Sequence, residues 1–356
     1  MRSLDRKMRI ALDALGGEFA PGAIVEGAVL ASRRWENLEF RLVGNVRILS
    51  ELLKSYTVES PRFDIQAAEY CIADEESPLQ ALESKPDASI VRALDALQRG
   101  EVDAVVSAGS TGAQIAASIQ RLGLLEGVKR PAIGSYFPTR EGKTFVIDVG
   151  ANAACKPFHL LQFAAMGAIF RQYVDGISEP RVALLSIGEE PSKGNQTTRE
   201  AHELMMLVPA LNFIGNIEGR DIYSGKADVI VCDGFTGNVL LKFAESIPDM
   251  LMNSSRTETG EPSRQSDIIQ QLVQTFDYQE SGGVPLLGVN GVSIICHGLS
   301  TPKAIANAIG EAVKMVHLRV NHHIAEQLTA MGQWSATVKT RALIERFRKR
   351  SLGEKN

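Results

Sequence analysis

Short apolar runs alternate along this chain with longer stretches of three-to-four periodicity. Residues 8–12, 40–43, 102–106, 145–149, 182–187, 212–214, 229–232 and 292–296 read as buried strands, mostly bounded by glycine, proline or acidic residues. Residues 89–97, 114–122, 304–316 and 322–331 carry the spacing of helices. Strands alternating with helices predict βαβ units and a mainly parallel sheet covered on both faces, an α/β/α sandwich. Ligands of such sheets bind at the carboxyl ends of strands. Glycines cluster at those ends: Gly16 and Gly17, Gly109 and Gly112, Gly150, Gly188, Gly215 and Gly219, Gly234 and Gly237, and Gly298. One such glycine is an ordinary turn. The whole set suggests backbone that approaches a ligand closely.

Length and charge narrow the classes. At roughly 150 residues per domain, 356 residues make about two domains or lobes. Hydrophobic residues at 44% and charged residues at 22% exclude a disordered or fibrous chain. With 38 basic against 42 acidic residues, a nucleic-acid-binding surface is not expected. Cys71, Cys155, Cys232 and Cys296 lack the spacing of a disulfide framework or zinc site. The charged start of the chain and the interruption of the most apolar stretch (160–170) by Gln162 predict a cytoplasmic protein without a signal peptide or membrane span.

Familiar nucleotide motifs fail. There is no GxGxxG. Gly142-Lys143-Thr144 imitates the end of a Walker A loop, but Phe137 stands at its first glycine and the motif precedes a strand. His317, His322 and His323 lie on a helix without metal-ligand spacing, and they, His159 and His202 read as packed or solvated helix residues.

Three loops carry plausible chemistry. Gly109, Ser110, Thr111 and Gly112 open the helix after 102–106, where unpaired N–H groups and the helix dipole suit an anion. Asp148, Asn152, Cys155 and Lys156 share the next such loop; Lys156 suits neutralisation of an anion, with Asp148 and Asn152 orienting it. Cys155 has no sequence neighbour that would lower its pKa, so a covalent role is not expected. The third loop sets Glu189 and Glu190 against Lys193, with Asn195 beside it, and Arg220 follows as either a bidentate phosphate contact or a partner of Asp221. His297, at a strand end beside Gly298, is a further site residue.

Read in order, LDALGGEFAP, DAVVSAGSTGA, RPAIGSYFPT, IDVGANAACKP, LLSIGEEPSKGN, NFIGNIEGRDI, DVIVCDGFTGNVLLK and GGVPLLGVNGVSIICHG resemble the phosphate acyltransferase family of bacterial phospholipid synthesis. The likeness runs from about residue 8 to about residue 330. Glu18, Ser110 and Ala154 stand where that family usually has Asp, Asn and Asp. The resemblance implies attack of inorganic phosphate on the thioester of a long-chain acyl-acyl carrier protein, giving acyl phosphate without metal or organic cofactor. It implies a two-lobed fold like that of isocitrate and isopropylmalate dehydrogenases, and a homodimer. Residues 8–105 and 290–345 would form the first lobe and 106–289 the second, with flexible termini at 1–7 and 346–356. Lys156, Asp148, Asn152 and His297 are expected to be catalytic, and Gly109, Ser110, Thr111, Gly112, Lys193, Asn195 and Arg220 to bind phosphate. A phosphotransacetylase acting on acyl-CoA and a non-catalytic carrier-binding scaffold are the alternatives. A glycerol-3-phosphate acyltransferase is the expected downstream partner.

Two features concern surfaces. Ala304, Ile305, Ala308, Ile309, Ala312, Val313 and Val316 form an apolar stripe suited to core or to a partner subunit. Residues 253–265 form a polar loop whose charges cancel, followed by a helix with an apolar face at Ile268, Ile269, Leu272, Val273 and Phe276. Residues 339–350 carry six basic side chains against one acid, enough for weak, salt-sensitive contact with an anionic membrane.

Overall fold

The computed structural model describes residues 7–57, 62–254 and 282–330. Eleven strands form one sheet in the order β3-β2-β1-β4-β11-β10-β5-β6-β9-β7-β8. The strands are β1 (Met8–Asp13), β2 (Leu38–Gly44), β3 (Phe63–Ala67), β4 (Ala104–Ser107), β5 (Ala132–Thr139), β6 (Gly142–Ile147), β7 (Val182–Leu185), β8 (Phe213–Ile217), β9 (Val229–Val231), β10 (Val284–Leu287) and β11 (Val292–Ile295).

Alternate residues of each strand feed opposite cores. Ile10, Leu12, Phe145, Ile147, Val229 and Val231 pack on one face. Ala11, Val146 and Ile230 pack on the other. Burial on both faces is why these strands read as continuous apolar runs instead of alternating ones. Helices α1 (Gly22–Arg34), α2 (Val46–Lys54), α3 (Pro78–Ser84), α4 (Ser89–Gln98), α5 (Thr111–Leu122), α6 (Pro157–Asp175), α7 (Gln196–Met206), α8 (Gly234–Ser254) and α9 (Pro302–His317) supply the flanking layers. The fold is the expected α/β/α sandwich.

Seven of the ten strand pairings are parallel, so the sheet is mainly parallel. The other three, β11–β10, β10–β5 and β5–β6, are antiparallel and lie together in mid-sheet. Three reversals leave β6, β9, β7 and β8 running opposite to β1, β4 and β11. The glycine-rich loops at the strand ends therefore leave from two edges of the sheet.

The most apolar stretch lies in α6, where residues all round the helix, including Leu160, Phe163, Met166 and Phe170, are buried. A helix that is apolar on every side belongs in a core. No helix of the described residues is long and apolar enough to cross a membrane. The stripe of α9 is core: Ala304, Ile305, Ala308, Ile309 and Ala312 are fully buried, and Gly27 lets α1 come so close that a Cβ there would stand 2.6 Å from Ile305. Gly142, Lys143 and Thr144 lie within β6, and the Lys143 ammonium pairs with Asp175 at 3.1 Å over the Tyr136 ring. Of the polar loop expected at 253–265, Asn253 and Ser254 end α8. Its remainder, the helix after it, the basic tail and the termini at 1–6 and 346–356 lie outside the described residues.

Candidate functional site

The loop after β6 is built around Asp148. This residue is fully buried. Its Oδ1 accepts the N–H groups of Ile133 (3.0 Å), Gly150 (3.2 Å) and Ala151 (3.0 Å). Oδ2 accepts from the Asn152 N–H (2.7 Å) and Nδ2 (2.8 Å). Burial pushes the Asp148 carboxyl up from its ordinary range, against these donors. Asn152 donates its second amide hydrogen to the Pro131 carbonyl at 2.7 Å. Both side chains, expected to orient an anion, are spent holding the loop. They do so by tying the end of β6 to the start of β5.

That tie brings Arg130 and Lys156 to the same end of β6, where the charges of both bear on His159. β5 is antiparallel to β6, so its amino end lies at the carboxyl end of β6. Lys156 is the N-cap of α6, a 19-residue helix whose positive dipole end faces the same place. His159, one turn on, accepts the Lys156 N–H through Nδ1 at 3.2 Å. Desolvation, with the charges of Arg130 and Lys156 added to it, holds the His159 pKa below 6.5. The ring is thus neutral at pH 7, with its proton on Nε2. Arg130 and Lys156 are exposed, and neither has an ion-pair partner among the described residues. Sequence reading missed both neighbours of Lys156. Arg130 lies in the bend just before β5, a strand it did not recognise, and His159 was set aside as a helix histidine.

The next loops along this edge follow β9, β7 and β8. At about 4.8 Å per strand, the loop that carries Lys193 leaves β7 roughly 10 Å from the end of β6. Lys193 has no ion-pair partner among the described residues, because Glu189 pairs with Lys226 instead, at 3.1 Å. Asn195 caps α7, its side-chain oxygen accepting the Thr198 N–H at 2.9 Å. Arg220 pairs with Glu218 at 3.0 Å, and Asp221 with Lys226 at 2.7 Å. The Arg220–Asp221 pair considered from the sequence does not form.

Cys155 lies beside this cationic group, in surroundings that disfavour its thiolate. Burial, with the Asp148 charge added, pushes its thiol up to about 12.

At the other edge, the ends of β1, β4 and β11 meet. Gly16 and Gly109 touch so closely that a Cβ on Gly16 would stand 2.6 Å from the Gly109 nitrogen. Gly109 and Ser110 line a cavity there, whereas Thr111 and Gly112 face away from it, Gly112 against Pro78. Asp13, at the end of β1, is buried and accepts from Ser107 Oγ at 2.8 Å; desolvation raises its pKa. His297 follows β11. Its Nδ1 accepts the Leu299 N–H at 3.1 Å, which leaves the proton on Nε2.

α8 joins the two edges. It starts against the Asp148 loop, where a Cβ on Gly237 would stand 1.9 Å from the Asp148 carbonyl oxygen. Eleven residues later, roughly 16 Å at 1.5 Å per residue, Glu245 lies 3.9 Å from His297 Nε2. One face of α8 leaves Phe235, Val239, Phe243 and Met250 exposed.

A family model described as a fatty acid synthesis protein matches residues 8–323. A phosphate acyltransferase of Heliobacterium modesticaldum is 51% identical over 311 residues, 85% of this chain and 92% of that one. A phosphate acyltransferase of Dictyoglomus thermophilum is 43% identical over 331 residues, covering 90% and 98%. Among solved structures, a phosphotransacetylase from Streptococcus pyogenes superposes with a TM-score of 0.61 at 18% identity, over 89% of this chain and 95% of that one. A branched-chain phosphotransacylase from Enterococcus faecalis gives 0.56 at 13% identity, over 87% and 99%. At such identities the structural likeness concerns the fold.

Proposed function

The chain belongs to the phosphate acyltransferase family, and from that premise we propose that it transfers a long-chain acyl group from an acyl carrier protein to inorganic phosphate. The observation that carries this reading is the placement of Arg130 and Lys156, two cations with no ion-pair partner among the described residues, at the positive end of α6, where both act on His159. Phosphate is already an anion near neutral pH and needs no strong base. What it needs is a place to stand while negative charge develops on the thioester carbonyl. Arg130, Lys156 and the His159 Nε2–H supply donors for that, and one well-aimed donor is worth about 3–4 kcal/mol of barrier. Lys193 extends the positive edge.

In the reaction, a phosphate oxygen forms a bond to the acyl carbon, and the C–S bond breaks. The sulfur takes up a proton from solvent on this reading, because His297 lies at the other edge of the sheet from Lys156. Gly109–Gly112 and Arg220 contribute less to phosphate on this reading, Arg220 because Glu218 already holds it. The raised Cys155 pKa supports direct attack without an acyl-enzyme. The exposed apolar face of α8, running between the two edges, supports a long acyl chain over a short one.

The proposal extends to a cytoplasmic homodimer whose two lobes follow the division given above, and to a glycerol-3-phosphate acyltransferase that consumes the acyl phosphate. It also includes weak, salt-sensitive membrane contact through the basic residues of 339–350. Mass spectrometry after mixing the protein with palmitoyl-acyl carrier protein and phosphate tests the central claim. Acyl phosphate and free carrier are expected. Turnover of acetyl-CoA alone would replace the reading with that of a phosphotransacetylase, and carrier binding without phosphate-dependent release would leave only a scaffold.

A further inference from the structure

Arg130, Lys156 and the His159 Nε2–H all donate hydrogen bonds, so by themselves they hold phosphate and sulfate alike. Sulfate has nearly the size and charge of hydrogen phosphate, but near neutral pH it carries no proton. Phosphate keeps at least one. A site that tells the two apart needs an acceptor for that proton beside the donors. The side chain placed to supply one is Asp233.

β9 lies next to β6 in parallel register, with Ile147 opposite Val231. The pairing runs one residue past both strands. The Cys232 N–H donates to the Ile147 carbonyl at 2.8 Å, and the Asp148 N–H donates to the Cys232 carbonyl at 3.1 Å. Asp233 therefore leaves β9 at the end of β6 from which the Lys156 loop leaves. The residue after it is fixed to that loop. The Gly234 N–H donates to the Asn152 carbonyl at 2.8 Å, and a Cβ on Gly234 would stand 2.7 Å from the Asn152 nitrogen and from Asp148 Oδ2. The charges of Asp233 and Arg130 both bear on the thiol of Cys155, the residue before Lys156.

Asp233 is half-buried, and its carboxylate is only partly used. Oδ1 accepts the Thr236 N–H at 2.9 Å and Oδ2 accepts the Thr236 hydroxyl at 3.0 Å, which caps the first turn of α8. A carboxylate has about four acceptor positions, so about two are left. Asp233 has no ion-pair partner among the described residues, although Arg130 and Lys156 share its end of the sheet. Asparagine or serine would cap this turn as well as aspartate does. Aspartate adds a charged group that accepts and cannot donate.

We propose that Asp233 determines the specificity of the phosphate site: its carboxylate accepts the P–OH hydrogen of the ion held by Arg130, Lys156 and His159, and it repels oxyanions that bring no proton. The inference rests on the phosphate site given above and deepens it. An ion bound in this way turns its OH toward Asp233 and leaves its unprotonated oxygens, the better nucleophiles, for the acyl carbon. Sulfate would meet the carboxylate charge with no proton between them.

Phosphate, arsenate and sulfate are the probes. Arsenate is larger than phosphate but protonated like it, whereas sulfate matches phosphate in size and lacks the proton. Calorimetric titration of the full chain near pH 7 should show arsenate binding within about tenfold of phosphate, and sulfate at least about thirtyfold more weakly. Asp233→Asn keeps the cap but puts a donor where the charged acceptor was. It should lower the preference for phosphate over sulfate at least about tenfold, by weakening phosphate and tightening sulfate. Asp233→Ser, which also caps, should lose the preference as well and covers the case of an Asn variant that does not fold. Lys156→Ala should weaken all three ions together and keep the preference within about threefold.

An unchanged preference in folded Asp233 variants would leave Asp233 a helix cap and overturn the inference. Equal binding of phosphate and sulfate by the unaltered protein would overturn it too, as would exclusion of arsenate with sulfate bound, which would make size the criterion. Phosphate affinity that is absent, or untouched by Lys156→Ala, would remove the ion from this site and the inference with it. The titrations need no thioester. A chain that binds phosphate with this preference but forms no acyl phosphate would sink the activity reading alone.

Discussion

The backbone N–H of Lys156 donates to Nδ1 of His159, so the residue that ends the β6 loop and the residue one turn into α6 are locked to each other. A protonated imidazole cannot accept that bond. The two groups whose charges bear on the ring, Arg130 just before β5 and Lys156 itself, both oppose protonation, as does burial.

A pH dependence of stability follows. With its folded pKa below 6.5, His159 takes up a proton in the unfolded chain first. This contribution is fully present above about pH 6.5 and is lost as pH falls toward the folded value. Melting curves between about pH 5.5 and 7 should show a decline that is shallower in His159→Ala than in the unaltered protein. Parallel curves would remove His159 from this role.

Lys156→Ala and Arg130→Ala should each raise the phosphate KM about ten- to a hundredfold, the scale of one hydrogen bond to a charged group. Arg220→Ala should change it less than about threefold, because Arg220 is 75% exposed and paired with Glu218. Steady-state kinetics with phosphate as the varied substrate ranks the three. The reverse order would move the phosphate site to the β8 loop.

Cys155→Ala should keep kcat within a few-fold. A thiol pushed up to about 12 holds almost no thiolate at pH 7. Loss of more than about a thousandfold, with an intact fold by circular dichroism, would reveal a covalent acyl-enzyme.

Gly237→Ala offers a test in which two effects have opposite signs. In an ordinary exposed helix the change would stabilise by about 1 kcal/mol. Here the new methyl would fall 1.9 Å from the Asp148 carbonyl oxygen, so α8 must move off the loop that carries Lys156. Destabilisation of about 1–3 kcal/mol in urea unfolding is expected, together with reduced turnover. A more stable variant with full activity would show that α8 does not need this contact.

The sequence by itself determined the strands that bury both faces. β4, β7, β9 and β11 each fall on a predicted apolar run, because burial on both sides leaves no polar alternation to misread. It also located Lys156 and His297 at strand ends, and the ordered motifs carried the family. Three strands were not legible. β5 holds Gly134 and Pro138, β3 is only partly buried, and β10 is four residues long. The missing β5 and β10 make the antiparallel ladders that turn half of the sheet around, and only pairing between distant residues fixes that direction. From the same cause come the features that tertiary structure alone decided. Arg130 and Lys156 both act on His159 because β5 folds back on β6, and Asp148 spends its carboxylate on the N–H of Ile133 across that hairpin. Glu18 and Ser110 border one cavity because β1 and β4 pair across ninety residues of chain. Apolar periodicity records which side of a strand is buried, whereas contacts of this kind depend on which strand lies next to it.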